Sequence, residues 1–182
     1  TRILVNITTE EFDGVYEAEF IEILGHKDDL DAELTAIGYN NGFRIRHTKE
    51  ELEQVANTPT ELQKDDYQNR VDFRHENIFT IDGEHTKDMD DAVGLKKLPN
   101  GNYLLNVSIA AVAYYIKPGS PLWERAEQNT TSLYLIDSVS HMLHYQISNG
   151  ICSLNPNVDR LAKSFLIEID KTGNIIDFQI VD

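Results

Sequence analysis

The residues of this chain whose types and spacing suit chemistry lie between positions 76 and 93, in the string ENIFTIDGEHTKDMDDAV. Four carboxylates, Asp82, Asp88, Asp90 and Asp91, follow a D-x5-D-x-D-D pattern. A short apolar run at residues 78–81, IFTI, leads into the first of them and reads as a strand end. Gly83 breaks that strand, a polar loop carries the other acids, and the chain turns apolar again at Ala92 and Val93. One strand–loop–strand unit thus brings four acids close enough to converge. Convergence is costly, because like charges at close range raise one another's pKa. A hard divalent cation such as Mg²⁺, which prefers oxygen ligands, removes that cost. Such ions polarise a phosphoryl oxygen, activate water and steady a leaving oxygen. The same acids also suit a solvated loop without a ligand; the strand leading into Asp82 favours the metal site. An EF-hand is excluded, since no D-x-[DN]-x-[DN]-G run with a Glu at the required offset is present.

TIDGEHTKDMDDAV resembles the signature of the ribonuclease R and ribonuclease II family of 3′-to-5′ exoribonucleases, ribonuclease R more than ribonuclease II. Three further strings agree with that family in order and spacing: QNRVDFR before the signature, YYIKPGSPL after it, and SNGICSLNPNVDRL further on. The resemblance implies an α+β fold, mainly antiparallel sheet with short helices. It implies Mg²⁺-assisted hydrolysis of RNA from the 3′ end to nucleoside 5′-monophosphates. Within it, Asp82, Asp88 and Asp91 serve the metal and Asp90 orients or deprotonates the attacking water. Tyr134, in the string TSLYL, matches the family tyrosine that stacks on the base at the RNA 3′ end; by spacing alone a tyrosine packed in a strand core is the favoured reading, and the TSLYL match tips it.

The chain departs from the family at two places. Where the family reads HIADVS, residues 108–113 read SIAAVA, so that Ser108, Ala111 and Ala113 replace a His, an Asp and a Ser. Where it reads RGTSVYLP, residues 129–136 read NTTSLYLI, so that Asn129, Thr130 and Ile136 replace an Arg, a Gly and a Pro. All four acids survive. A catalytically impaired RNA-binding or regulatory homologue is therefore the alternative.

Other polar residues carry two readings each. Arg160 either meets phosphate or pairs with a nearby acid and fixes a loop, and pairing is favoured. His85, inside the acidic loop, reads as solvated rather than as a ligand, since Mg²⁺ takes oxygen. His141 and His144 have helix-like spacing without a clear third ligand for zinc. Ser148, Asn149 and Gly150 read as a turn rather than as a backbone approach to RNA.

The elements that must position these residues follow from the rest of the chain. Residues 2–7 and 14–24 read as strands joined through 8–13. By resemblance, residues 1–25 are the last strands of an OB-type cold-shock domain; alternatively they add to the following sheet. Unpaired, they are expected to dock on that sheet or to pair with another molecule. Residues 26–68 read as a helical linker. Its helices cover 28–37, ended by Asn40-Asn41-Gly42, and 49–56, with a Thr48/Glu51 capping box; another begins at Thr58-Pro59. By the same resemblance, residues 69–182 are read as the front half of the catalytic (RNB) domain. There, strands at 91–98 and 103–110 flank a Pro99-Asn100-Gly101-Asn102 turn. A helix spans 121–128 after Ser120, a strand 132–136, a partly helical piece 142–154, and a hairpin 161–181. In that hairpin Phe165, Ile167 and Ile169 alternate toward one buried face.

The chain has 182 residues, 41% hydrophobic, with a net charge of −15. That charge argues against a basic nucleic-acid surface. By the resemblance, cold-shock and S1 domains hold single-stranded RNA and a helical second half completes the catalytic domain; the first cold-shock domain, the S1 domain and that second half are not recognisable here. The chain is therefore read as a fragment that is inactive alone; no DNA partner is expected. No apolar run approaches the ~18 residues of a membrane helix, and acids stand where a leader peptide would be basic. The lone Cys152 excludes an internal disulfide and suits a cytoplasmic home as a packed thiol.

Overall fold

The computed structural model describes residues 1–10, 13–136 and 138–182. The fold is α+β and its sheets are antiparallel. The chain forms two compact units, Thr1–Lys49 with Glu124–Met142, and Glu50–Trp123 with Leu143–Asp182.

In the first unit, β1 (Arg2–Glu10) pairs with β2 (Tyr16–Gly25), and both contact α1 (Leu30–Asn40). Strand β1 is longer than its sequence implies, so residues 8–10 belong to it; residues 11 and 12 of the expected connection lie outside the described residues. The two strands pair with each other in a sheet of their own among the described residues. Asp29 caps α1 by accepting from the Asp31 N–H at 3.1 Å, so that the helix begins at Leu30, two residues later than expected. Gly38 lets α1 approach its neighbours, since a Cβ there would meet the Ile45 side chain at 2.3 Å. The fully buried Arg125 of α4 (Pro121–Asn129) donates to the carbonyls of Arg46 and Ile45. Strand β6 (Leu133–Tyr134) is only two residues long, shorter than the expected 132–136, and pairs with β7 (Val139–Ser140).

In the second unit, five strands order as β3-β4-β5-β8-β9: Ile78–Phe79, Asp91–Lys97, Tyr103–Ala110, Ala162–Ile169 and Ile175–Val181. The β4–β5 turn places Gly101 at φ +89°, where glycine costs least. Helix α2 (Lys49–Asn57) ends where Thr58 donates its hydroxyl back to the Gln54 carbonyl at 2.9 Å. The helix expected to start at Thr58-Pro59 is absent for that reason. A single 3₁₀ turn, Lys64–Tyr67, follows instead, closed by reciprocal bonds between Gln63 and Asp66. Tyr114, on α3 (Val112–Tyr115), donates to Asp66 at 2.5 Å. That hydroxyl, then the Gln63 N–H, holds the Asp66 carboxyl below its ordinary value.

Register sorts the sheet residues onto two faces. One carries Ala92, Asn106, Ser108, Ala110 and Ser164, all buried. Its hydroxyls are satisfied in place: Ser108 Oγ lies 2.9 Å from Asn106 Oδ1 and 2.7 Å from Ser164 Oγ. The other carries the rows Val93-Val107-Phe165-Ile180 and Leu95-Leu105-Ile167-Phe178. Leu95 is 62% and Phe178 67% exposed, and Phe165, Ile167 and Ile169 are only half-buried. The expected burial of Phe165, Ile167 and Ile169 is thus not met: the closely covered face is the one made of small residues.

Candidate functional site

The acidic run lies in the second unit, between β3 and β4. Strand β3 ends at Phe79, so the expected strand over 78–81 stops before Asp82, and Ile81 is 81% exposed. The shortness reflects β3's edge position, with only Ile78↔Gly94 and Phe79↔Val93 paired to β4. Gly94 is what admits β3, because a Cβ there would lie 2.9 Å from the Asn77 carbonyl oxygen and 3.1 Å from Ile78 Cγ1. Past Asp82 the chain turns, with the Thr86 N–H donating to the Gly83 carbonyl at 3.0 Å. Asp91 opens β4 opposite Ile109, and the Ala110 N–H donates to the Asp90 carbonyl at 2.9 Å.

The four acids share one electrostatic neighbourhood. Burial comes first in pushing the Asp90 carboxyl above its ordinary value, followed by the charges of Asp88, Asp91 and Asp82. Loss of water is thus the main cause, with the like charges of the neighbouring acids adding to it. As donors they suit a hard cation by type, and a cation relieves the crowding. Among the described residues no three His, Cys, Asp or Glu side chains are gathered into a metal-holding arrangement. The donor set therefore fits Mg²⁺ in chemistry but not as an assembled cage.

The other candidates are placed as follows. Tyr134, in the first unit, is 70% exposed, a presented ring and not a core residue. Arg160 is a structural group, but carbonyls take the place of the expected acid. Its Nε donates to Gly150 O at 3.2 Å and Ser153 O at 3.0 Å, and its Nη1 to Asp159 O at 3.0 Å. His85 is exposed, and His144 Nδ1 accepts from the Gln146 N–H at 3.3 Å. Residues 148–150 sit in a single π-type turn, Ile147–Ile151. Cys152 is buried and its thiol is pushed up to about 12, chiefly by loss of water, the behaviour of a packed thiol.

Both departures have local structure. Ala111 occupies the N-cap of α3 and makes no side-chain cap bond, where an Asp would supply one. Asn129 is buried, accepting from the Arg44 N–H at 2.8 Å and donating to the Arg44 carbonyl at 3.1 Å. Thr130, directly after α4, has φ +57°, a left-handed conformation that a glycine adopts without strain.

Sequence reasoning missed Ser153. It is fully buried, and its hydroxyl bonds to the backbone of the acidic loop at Lys87 and Met89. Beside these residues lies a cavity of about 950 Å³ on the small-residue face, with Tyr67, Arg70, Arg74, Met89, Arg160 and Ser164 in its lining. Arg74 is neutralised within it by Asp72 at 2.7 Å and Asp159 at 3.2 Å.

The RNB domain model matches residues 70–182. Ribonuclease R 1 of Lactococcus lactis is 41% identical over 171 residues, 94% of this chain and 21% of that protein. The chain thus spans about a fifth of that relative's length. The solved Mycoplasma genitalium RNase R in complex with ribose-methylated single-stranded RNA aligns at TM-score 0.82 and 28% identity, over 98% of this chain and 28% of that one. Yeast Ssd1, described as a pseudonuclease, aligns at TM-score 0.73 and 19% identity, over 97% of this chain and 23% of its own, a likeness of fold alone. With its acidic run between β3 and β4 and the family match covering the whole five-stranded sheet, the chain belongs to the RNB-domain family, that of ribonuclease R.

Proposed function

We propose that the chain is part of a Mg²⁺-dependent 3′-to-5′ exoribonuclease that hydrolyses RNA to nucleoside 5′-monophosphates. The observation that carries this reading is the retention of all four acids in the D-x5-D-x-D-D run, grouped electrostatically around Asp90. In the proposed reaction, water adds to the phosphorus of the last phosphodiester. The bond from phosphorus to the preceding 3′ oxygen breaks, leaving a 5′-monophosphate and a new 3′-hydroxyl. The ion, when bound, would supply charge stabilisation for the phosphoryl oxygens. Asp82, Asp88 and Asp91 would hold it, Asp90 would orient the attacking water and take its proton, and Tyr134 would stack on the terminal base. The substrate would be single-stranded RNA, met by the whole protein in the cytoplasm.

Residues 1–25 would be the end of a cold-shock barrel, 26–68 a linker and 69–182 the front of the catalytic domain. On that division the 182-residue chain binds Mg²⁺ but does not degrade RNA, because holding a 3′ end and aligning a phosphate need more of the protein. An ion that binds only the folded form stabilises it by ~2.7 kcal/mol at a hundred times its dissociation constant. Mg²⁺ should therefore raise the melting temperature, and Asp82→Asn with Asp91→Asn should abolish the rise; no rise in the unaltered chain would sink the Mg²⁺ assignment. Labelled single-stranded RNA incubated with the chain and Mg²⁺ should stay intact. Stepwise release of mononucleotides, lost on Asp90→Asn, would show that the chain is sufficient for catalysis.

The second reading, a homologue without catalysis, is favoured by Ala111 and by Asn129, whose amide is occupied with the Arg44 backbone. Fold does not decide between the two, since a pseudonuclease shares it. Degradation assays on the complete reading frame separate them.

A further inference from the structure

We infer that Ser153 is a positioning residue for the acidic loop: its hydroxyl clamps the backbone on both sides of Asp88 and so sets where Asp88 and Asp90 project. The inference rests on the proposed function for its purpose, and on geometry for the clamp itself. Ser153 has no exposed surface. Its Oγ donates to the Lys87 carbonyl at 2.9 Å and accepts from the Met89 N–H at 3.1 Å. A hydroxyl has one donor and two acceptor sites, so a single serine satisfies both groups. The next residue continues the contact, its Leu154 N–H donating to the Met89 carbonyl at 2.8 Å. From the other side, the Ala110 N–H holds the Asp90 carbonyl at 2.9 Å. Residues 87–90 are thus fixed at four backbone atoms, with Asp88 between the two that Ser153 holds.

The clamp is itself anchored. Arg160 Nε donates to the carbonyls of Ser153 and Gly150, and the Ser153 N–H donates to Gly150 O at 3.1 Å. Crowded carboxylates push one another apart. A loop carrying them keeps a productive arrangement only where its backbone is held from outside. The bonds to Ser153 do this without placing a competing charge among the acids.

The test is amide exchange by NMR on the unaltered 182-residue chain, Ser153→Ala, Ser153→Cys and Ser108→Ala, each also titrated with Mg²⁺ alone. Ser108→Ala removes another buried hydroxyl, whose partners lie in the sheet. In Ser153→Ala the Met89 and Leu154 amides should exchange about ten-fold faster, as for loss of one buried hydrogen bond. The β5 and β8 amides should keep their rates, and the Mg²⁺ dissociation constant should rise in step. Ser153→Cys, which retains a weak donor, should fall between, and it carries the comparison if Ser153→Ala does not fold. Ser108→Ala should change neither loop exchange nor Mg²⁺ affinity. Unchanged Met89 exchange overturns the inference, as does faster exchange with unaltered Mg²⁺ affinity, or equal acceleration by Ser108→Ala. Absence of Mg²⁺ binding in the unaltered chain defeats the proposed function instead, and the exchange rates then decide the clamp alone.

Discussion

At the scale of single residues, the chain keeps the acids of its family and changes what surrounds them. Thr130 is the plainest case. It follows α4 at φ +57°, a conformation that costs an L side chain about 1–2 kcal/mol and a glycine little. Glycine returns part of that gain through its freer unfolded state. Thr130→Gly should therefore stabilise the first unit by about 0.5–1 kcal/mol, read as a higher urea midpoint with an unchanged slope. Asp66 supplies the pH-dependent case. Its folded pKa lies below the ordinary value of 3.8, because Tyr114 and the Gln63 N–H bond its ionised form. A depressed carboxylate contributes stability above its unfolded pKa and loses it as pH falls through the lower folded value. Asp66→Asn should thus lower stability near neutrality and flatten the acid limb of an unfolding curve followed below about pH 4. An unchanged acid limb would mean the Tyr114 contact adds nothing. The acids themselves were legible in the sequence because their chemistry lies in residue type and close spacing. Ser153 was not, since its hydroxyl meets Lys87 across 66 residues of chain, and no local pattern marks that bond.

At the scale of elements, local signals located most pieces and mislaid their ends. Asn100-Gly101 marked the β4–β5 hairpin, and Ser120 the start of α4, because a turn or cap is decided by adjacent residues. Thr58-Pro59 read as a helix start, yet the Thr58 hydroxyl closes the preceding helix; one residue type serves both ends, and only packing chooses. Strand β3 was overestimated because pairing, not apolar content, sets a strand's length, and Gly94 permits two pairs. This makes Gly94 the control on the arm that carries Asp82. Gly94→Ala places a methyl 2.9 Å from the Asn77 carbonyl oxygen, so backbone has to move. The expected cost is about 1–3 kcal/mol, in the range for overpacking. Amide exchange should quicken in β3 first, while β5–β8 amides keep their relative protection. Unaltered β3 exchange in this variant would show that the edge pairing has slack to spare.

At the scale of the whole molecule, the sequence could place apolar residues on one sheet face but not say how well that face is covered. Cover comes from whatever packs on it, and strand periodicity carries no information about that. In the structure, Leu95, Ile109, Phe178 and Ile180 remain exposed on this face at 62%, 38%, 67% and 51%. Beside them β9 is an edge strand with its outer backbone groups unpaired within the sheet. Separately, β1 and β2 expose Ile3, Ile7, Phe20 and Ile23. Apolar area of this kind, next to an open strand edge, drives association. Opposing it, the net charge of −15 makes copies repel. Salt decides between the two, because the screening length falls from about 30 Å at 0.01 M to about 10 Å at 0.1 M, while apolar contact is not screened. The 182-residue chain should therefore self-associate in sedimentation velocity, more strongly as salt rises. Association bridged by contaminating RNA through basic side chains would weaken with salt instead. Phe178→Lys with Ile180→Lys should shift the chain toward monomer while keeping the β8–β9 register, since both positions are exposed. A chain that stays monomeric at every salt and at its highest soluble concentration would show that charge outweighs the open face.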